Sequence, residues 1–328
     1  GAVMTAQRGI VCAGNWIVDI IHDISQWPEK SDLVSITSQT VGVGGGAANV
    51  AFNLAALQVD YPIWPAGLLG CDNHSDLVRR ACHDVGLPVE QLGSITNVCT
   101  AHTHVMNVPG DSRTFFYNAG ANAHFDEHTL SMEAIAANRP SIFYLGYLNL
   151  LPLLDAIDGQ GRTGAAKLLA QARAVGMMTC VDLVSSLSDT YAKTVMGTLA
   201  DIDWLFLNEV EASRATGVIL NGEEDRPNMA KAATHLMSKG LSRGCVIHTP
   251  KLSLWKTVDD ELWFEVPQIP KNDILSPVGA GDAFAAGILH GLHESWNAHD
   301  CIVLGNKMAA ACLRAPTATG GTLALKEL

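Results

Sequence analysis

The sequence predicts an α/β fold with a mainly parallel central sheet. Short β-branched and apolar runs alternate with longer stretches of helical periodicity, and glycine closes several of the helical stretches. Only two regions, 16–42 and 99–118, break that alternation.

"GIVCAG" (9–14) is a β-branched run stopped by glycine and predicts the first strand. From Gly46, "GAANVAFNLAAL" places Val50, Leu54 and Leu57 on one helical face. "SIFYLG" (141–146) predicts a strand, and "TGAAKLLAQARAVG" (163–176) a helix with a C-terminal glycine stop. "MMTCVDL" and "DWLFLN" (203–208) predict strands, "EVEASRATG" a helix ended by glycine, and "GCVIHT" (244–249) a further strand. Residues 282–293 and 298–313 predict helices. The two exceptional regions carry extended segments such as "TAHTHVMNV" and "RTFFYN", which predict antiparallel strands outside the main sheet. Together they would form a small discontinuous β-lid over the sheet's C-terminal edge. No internal repeat or low-complexity tract is present.

Composition limits the function classes. At 328 residues and 48% hydrophobic, the chain can bury a large core. No apolar run approaches the ~18 residues of a membrane span. The N-terminal "GAVMTAQRG" lacks a secretion signal, and the eight cysteines show no C-x-x-C pair, so a reducing, cytoplasmic setting is expected. A net charge of −12 and the lack of a basic stripe argue against a nucleic-acid partner. They leave room for a local anion site.

"VGAGDAFAAG" (278–287) sets such a site at the start of a helix, where first-turn N–H groups lack partners. Gly279, Ala280 and Gly281 let an anion approach them closely, and the helix dipole favours negative charge there. Asp282 stands at the same spot and could accept a proton from a substrate hydroxyl. Phe284, Ile288 and Leu292 would face the core. The same residues also fit an N-capping aspartate after a flexible turn.

"GVGGGAANVAFNLAAL" (42–57) opens a second helix. Gly42, Gly44 and Ala47 fit a loose G-x-G-x-x-A pattern, but the first strand ends about thirty residues earlier, which is wrong for a dinucleotide oxidoreductase. No G-x-x-x-x-G-K-[ST] motif occurs. Close approach of a small polar ligand fits better, with Gly44 and Gly45 as bare backbone and Asn49 offering an amide; close helix-on-sheet packing is the plainer reading. Asn15 and Asp19 follow the first strand, where open parallel sheets bind ligands, and suit sugar hydroxyls. Asn118, before "AGANA", is a candidate sugar contact, and Tyr147 is another. His102 and His104 share a strand face but have no third metal ligand nearby, so His104 is expected to face the substrate from the lid.

Taken together, these stretches resemble the ribokinase-like, PfkB-type carbohydrate kinases over nearly the whole chain. Six segments match in order: the first strand with Gly14 and Asp19, "GGGAANVA", "GLLGCDNHSD" (67–76), "RTFFYNAGANA" (113–123), "LNEVEA" (207–212) and "VGAGDAFAAG". The resemblance implies a three-layer fold with a mainly parallel sheet and a small β-lid. Residues 1–15, 43–98 and 119–328 would form the core, and 16–42 with 99–118 the lid. It implies an ATP-dependent sugar kinase with Asp282 as base and the 279–282 backbone as anion hole. Asn15, Asp19, Gly44, Gly45 and Asn49 would hold the sugar. Asn208 and Glu211 would organise Mg2+ and phosphate through water, and Asn306 would lie near the adenine. Lid strands would allow a homodimer.

Three departures stand out. Ser276-Pro277 replaces the family's Asp-Thr, whose aspartate helps bind an activating monovalent cation, so a potassium requirement stays open. "HTPKLS" (248–253) replaces the T-x-G turn and would reshape the ATP pocket, with Lys251 helping to bind phosphate. Val184 stands where an asparagine is usual. A nucleoside or vitamin kinase remains an alternative, with Trp16, Phe116 and Tyr147 available as an aromatic cleft. A non-catalytic sugar-binding relative is a further one, against which the intact Asp282 argues.

Overall fold

The computed structural model describes residues 6–111, 113–275, 278–315 and 324–328. The chain begins with β1 (Ile10–Gly14), β2 (Ile17–Ile24), β3 (Ile36–Gly44), α1 (Gly46–Ala56), β4 (Ile63–Leu69), α2 (Asn73–Asp84) and β5 (Gln91–Ser94). Then come β6 (His102–Asn107), β7 (Arg113–Asn118), α3 (Met132–Ala137), β8 (Ile142–Leu148), α4 (Pro152–Asp155), α5 (Gly164–Ala174) and β9 (Met178–Leu183). The remainder is α6 (Tyr191–Met196), β10 (Trp204–Asn208), α7 (Glu209–Thr216), α8 (Arg226–Ser238), β11 (Gly244–His248), β12 (Leu252–Thr257), β13 (Glu261–Glu265), α9 (Ala280–His293) and α10 (Ala298–Leu313).

Nine strands form the central sheet in the order β13-β12-β11-β10-β9-β8-β1-β4-β5. All pairings from β11 to β5 are parallel, and β12 and β13 extend one edge in antiparallel fashion. Alternation along each strand feeds two cores. Val11 and Ala13 of β1, with Phe143 and Leu145 of β8, face the layer of α5, α7 and α8. Ile10 and Cys12, with Ile142 and Tyr144, face α1, α2, α9 and α10. A parallel sheet covered on both faces explains why its strands are nearly continuous apolar runs. No described helix is long and apolar enough to cross a membrane.

A second sheet of four strands, β3-β2-β6-β7, is built from the two segments that broke the alternation. One expectation is corrected here. The pairs β2–β3 and β6–β7 are antiparallel hairpins, but β2–β6 is parallel. The reason is topological: β2 follows β1 and β6 follows β5, two parallel strands of the main sheet, so both leave by the same edge. The strand β3 also runs on to Gly44, beyond position 42.

Phe206 in β10 is fully buried on the face covered by α9. Phe206→Ala should lower unfolding free energy by about 3–5 kcal/mol, read from urea denaturation. A loss below about 1 kcal/mol would contradict the packing described.

Candidate functional site

The order of the central sheet reverses at β1: the chain adds β4 on one side and β8 on the other. Open parallel sheets bind ligands beyond the C-terminal ends of the strands at such a point. Here those ends deliver Gly14 and Asn15 from β1 and Tyr147 from β8, and the N-termini of α1 and α9 approach from one side.

Asp282 lies in the first turn of α9 and is only 5% exposed. It does not cap its own helix: the N-cap is Gly279, and no side chain among the described residues caps this end. Among the described residues, the first-turn N–H groups of Ala280, Gly281 and Asp282 are therefore left without a side-chain acceptor. Asp282 Oδ2 instead accepts from Asn49 Nδ2 at 2.8 Å and from the Tyr147 hydroxyl at 2.5 Å. Burial pushes the carboxyl up to about 6, against the two donors, which favour the charged form.

Asn49 lies in the first turn of α1, which starts after Gly45 as N-cap. Its Oδ1 is buried and has no partner among the described residues. Asn15 is fully buried; its Nδ2 donates to the Tyr147 carbonyl at 3.4 Å and its Oδ1 accepts from Asn122 Nδ2 at 3.1 Å. Asp19 sits on β2, opposite Gly42 and Thr103 on one face of the small sheet. Burial raises its carboxyl to about 6, opposed by a hydrogen bond with Thr103. A Cβ on Gly44 would collide with Asp19 Oδ2, so glycine lets this carboxylate lie against the backbone.

Next to this group is a cleft of about 450 Å3, lined in part by Asn208, His248, Pro250, Ala280, Gly281 and Asn306. Asn208 and Glu211 form a capping box: Asn208 Oδ1 accepts from Glu211 N at 2.8 Å, and Asn208 N donates to Glu211 Oε1 at 2.9 Å. Glu211 Oε2 accepts from Ser185 Oγ at 2.8 Å, and burial raises this carboxyl to about 7. Asp182 is buried beside them, and desolvation, then Asp282 and Glu211, push it well above its usual range. It accepts from Tyr144 and from the Leu183 N–H. The described residues hold no salt bridge to any of these three carboxylates.

The structure thus gathers Asp282, Gly279, Ala280, Gly281, Asn49, Asn15 and Gly45 at one edge, with Asp19 against Gly44 on the adjoining small sheet, Asn208 and Asn306 on the cleft wall, and Glu211 hydrogen-bonded to Asn208 behind that wall. It does not gather all the candidates. Lys251 is exposed in the β11–β12 turn and is not part of the cleft wall, although Pro250 is. Asn118 is exposed, and its Oδ1 accepts from Gly120 N at 3.0 Å, so it caps the turn out of β7. His104 lies on the face of the small sheet opposite Asp19, with its Nδ1 3.1 Å from His22 Nε2. The aromatic cleft is not assembled either. Trp16 is fully buried and donates to the Ala66 carbonyl, and Phe116 stacks on Trp27 on the His104 face. Ser276 and Pro277 lie outside the described residues. Ser185, Asn122 and Asp182 join the site through tertiary contacts; "AGANA" is the available sequence signal for Asn122, and the position of Asp182 two residues before Val184 is the signal for Asp182.

The raised acid has a measurable consequence. Folding lifts Asp282 from 3.8 to about 6, so the folded state holds its proton more tightly across that interval. Stability therefore falls as pH rises through that window, by at most about 3 kcal/mol for this group, and stays at the lower value above it. Asp282→Asn should accordingly stabilise the protein more at pH ~8 than at pH ~4 in urea denaturation. An equal effect at both pH values would refute the shift.

The chain matches the model of the pfkB family carbohydrate kinases over residues 7–323. It is 22% identical over 307 residues to the nucleoside kinase of Methanocaldococcus jannaschii, covering 93% of this chain and 90% of the relative. It is 27% identical over 281 residues to the ATP-dependent ribose-1-phosphate kinase of Halopiger xanaduensis, covering 85% and 83%. Its fold superposes on the structure of Arabidopsis thaliana ribokinase complexed with ribose and ATP with a TM-score of 0.80 at 22% identity, covering 98% and 97% of the two chains. A match from residue 7 to residue 323 leaves almost none of the chain outside it, and the chain belongs to the pfkB family of carbohydrate kinases, phosphotransferases that act on hydroxyl groups.

Proposed function

We propose that this chain is an ATP-dependent sugar kinase that transfers the γ-phosphate to a hydroxyl of a small carbohydrate. The observation that carries the proposal is the placement of Asp282. It is a buried carboxylate in the first turn of a helix whose end no side chain among the described residues caps, and it accepts from Asn49 instead of capping that end. A general base and an anion site then lie within four residues.

Asp282 takes the proton of the acceptor hydroxyl as the phosphoryl group arrives. The N–H groups of residues 279–282 stabilise charge on the transferring group, which is where positioning and electrostatics do most of the work in a loose transition state. Asn15, Asp19, Gly44, Gly45 and Asn49 line the sugar side. The unpartnered, buried Oδ1 atoms of Asn49 and Asn122 suit a ligand that carries several hydroxyl donors. The cleft between β11 and α10 suits the nucleoside part of ATP, with Asn306 on its wall. Glu211 and Asn208 fit a hard, water-bridged cation, since a buried carboxylate and an amide oxygen are its usual donors. Mg2+ bound there would neutralise phosphate charge. The four-stranded sheet serves as a lid that excludes water and so suppresses hydrolysis.

A sugar is favoured over a nucleoside because Trp16, Phe116 and Tyr147 do not form a cleft for a base. The exposed positions of Lys251 and Asn118 weigh against phosphate and sugar contacts, respectively. Phe115 and Phe116 are more than half exposed on the edge strand of the lid and suit pairing with a second copy. The free thiols of Cys12, Cys71, Cys82, Cys99, Cys180, Cys245 and Cys301 suit a reducing cytoplasm.

Asp282→Asn should lower turnover by roughly 10²–10⁴ while leaving ATP binding nearly intact, measured by ADP release and by calorimetry. Turnover within about threefold of the parent would exclude the base assignment. In the parent, kcat/KM should fall as pH drops through about 6, because a protonated Asp282 cannot act as base. ADP release screened over sugars and nucleosides, with and without Mg2+ and K+, identifies the acceptor.

A further inference from the structure

We propose that Tyr147 is the positioning residue of the active site: its hydroxyl fixes the Asp282 carboxylate so that one oxygen is occupied and the other is presented to the acceptor. The inference deepens the proposed function and rests on Asp282 being the base.

Two donors meet one acceptor atom. The Tyr147 hydroxyl, at 2.5 Å, and Asn49 Nδ2, at 2.8 Å, both donate to Asp282 Oδ2. Neither donates to Oδ1. A carboxylate held by two donors on one oxygen loses rotation about its Cβ–Cγ bond, and Oδ1 is left as the free basic site. The two donors come from different elements, β8 and α1, so their convergence on Oδ2 sets the direction of the group.

Tyr147 is itself held at its ring and at its carbonyl. Its ring lies on the first residue of α1: a Cβ on Gly46 would stand 2.7 Å from Tyr147 Cε1, so no other residue at 46 would leave the ring in place. Its carbonyl accepts from Asn15 Nδ2 at 3.4 Å. Asn15 in turn accepts from Asn122, whose Nδ2 is also 3.4 Å from the Tyr117 hydroxyl on β7. A hydrogen-bonded chain thus runs from the small sheet through Asn122, Asn15 and Tyr147 to Asp282. The phenol keeps its proton under all conditions of interest. Burial, then the Asp282 charge, push it well above its usual value, so it acts only as a donor.

The other groups around Asp282 do not duplicate this role. Tyr144 donates to Asp182, not to Asp282. The Asp182 and Glu211 carboxylates offer no cation and interact with Asp282 through their charges alone. The His248 ring lies by Gly281, and burial drives it down to about 4, so it stays neutral. The Cys312 thiol is held in the protonated form by burial.

Tyr147→Phe removes the hydroxyl and keeps the ring. The pKa of the Asp282 carboxyl can be followed by 13C NMR, with its resonance assigned by comparison with Asp282→Asn. Losing a donor to the charged form should raise that pKa by about one unit. With the acceptor found by the ADP-release screen, kcat should fall roughly 10- to 100-fold, and KM should change by less than about threefold. The acid limb of kcat/KM should move to higher pH by the same interval as the NMR titration. A merely structural tyrosine would lower thermal stability without moving either titration. An unmoved Asp282 titration in an enzyme that needs Asp282 overturns the role of Tyr147 alone. Full activity in Asp282→Asn overturns the base assignment and, with it, this one.

Discussion

A carboxylate buried with no cation partner is the constraint around which the rest of the site is arranged. Asp282 has lost most of its water, and the described residues offer it no lysine or arginine. Isolated burial of that charge would be prohibitive. Two neutral donors and the positive end of α9 offset part of the penalty and leave an acid raised to about 6. That value suits a base near neutrality: the group is mostly ionised, yet it is more basic than a solvated aspartate. The neighbouring acids Asp182 and Glu211 work in the same direction, since like charges without cations discourage full ionisation of the cluster.

The fold supplies the other half of the arrangement. The reversal of strand order at β1 opens the main sheet at its C-terminal edge, and α1 and α9 lie on one side of it, so their N-termini converge there. Glycines at those N-termini remove the side chains that would otherwise fill the space or cap the helices. At α1 the gain is close approach, with Asp19 against Gly44 and the Tyr147 ring against Gly46. At α9 the gain is an uncapped helix end. By contrast, α2 and α7 start with full capping boxes, Asp72 with Ser75 and Asn208 with Glu211. The contrast separates helix starts closed by side-chain caps from those of α1 and α9, where a glycine takes the N-cap position.

Several of the recognisable segments serve both structure and site. Asp72 caps α2 and also accepts from Thr100 N and Oγ1, which fastens the chain just before β6 to the core. Asn208 and Glu211 complete their own helix start, yet Asn208 also lines the cleft and Glu211 stays buried against it. Such dual use explains why each of these segments, read singly, also fits a purely structural account.

The sequence by itself determined the layer order, most strand and helix positions, and the residues of the two glycine-rich helix starts. Those features are local: hydrophobic period, glycine stops and motif spacing are visible over a dozen residues. It also pointed to Asp282, Asn49, Asn15 and Glu211, because each lies within a short recognisable segment. Tertiary structure alone decided how these side chains meet. The Tyr147–Asp282 hydrogen bond spans 135 positions and the Asn49–Asp282 bond 233, and no local pattern encodes such pairs. The same cause accounts for the expectations that changed. Whether β2 and β6 run parallel depends on which edge of the sheet each one leaves. Residue type likewise does not say that Lys251 is exposed, that Asn118 caps a turn or that Trp16 is completely buried.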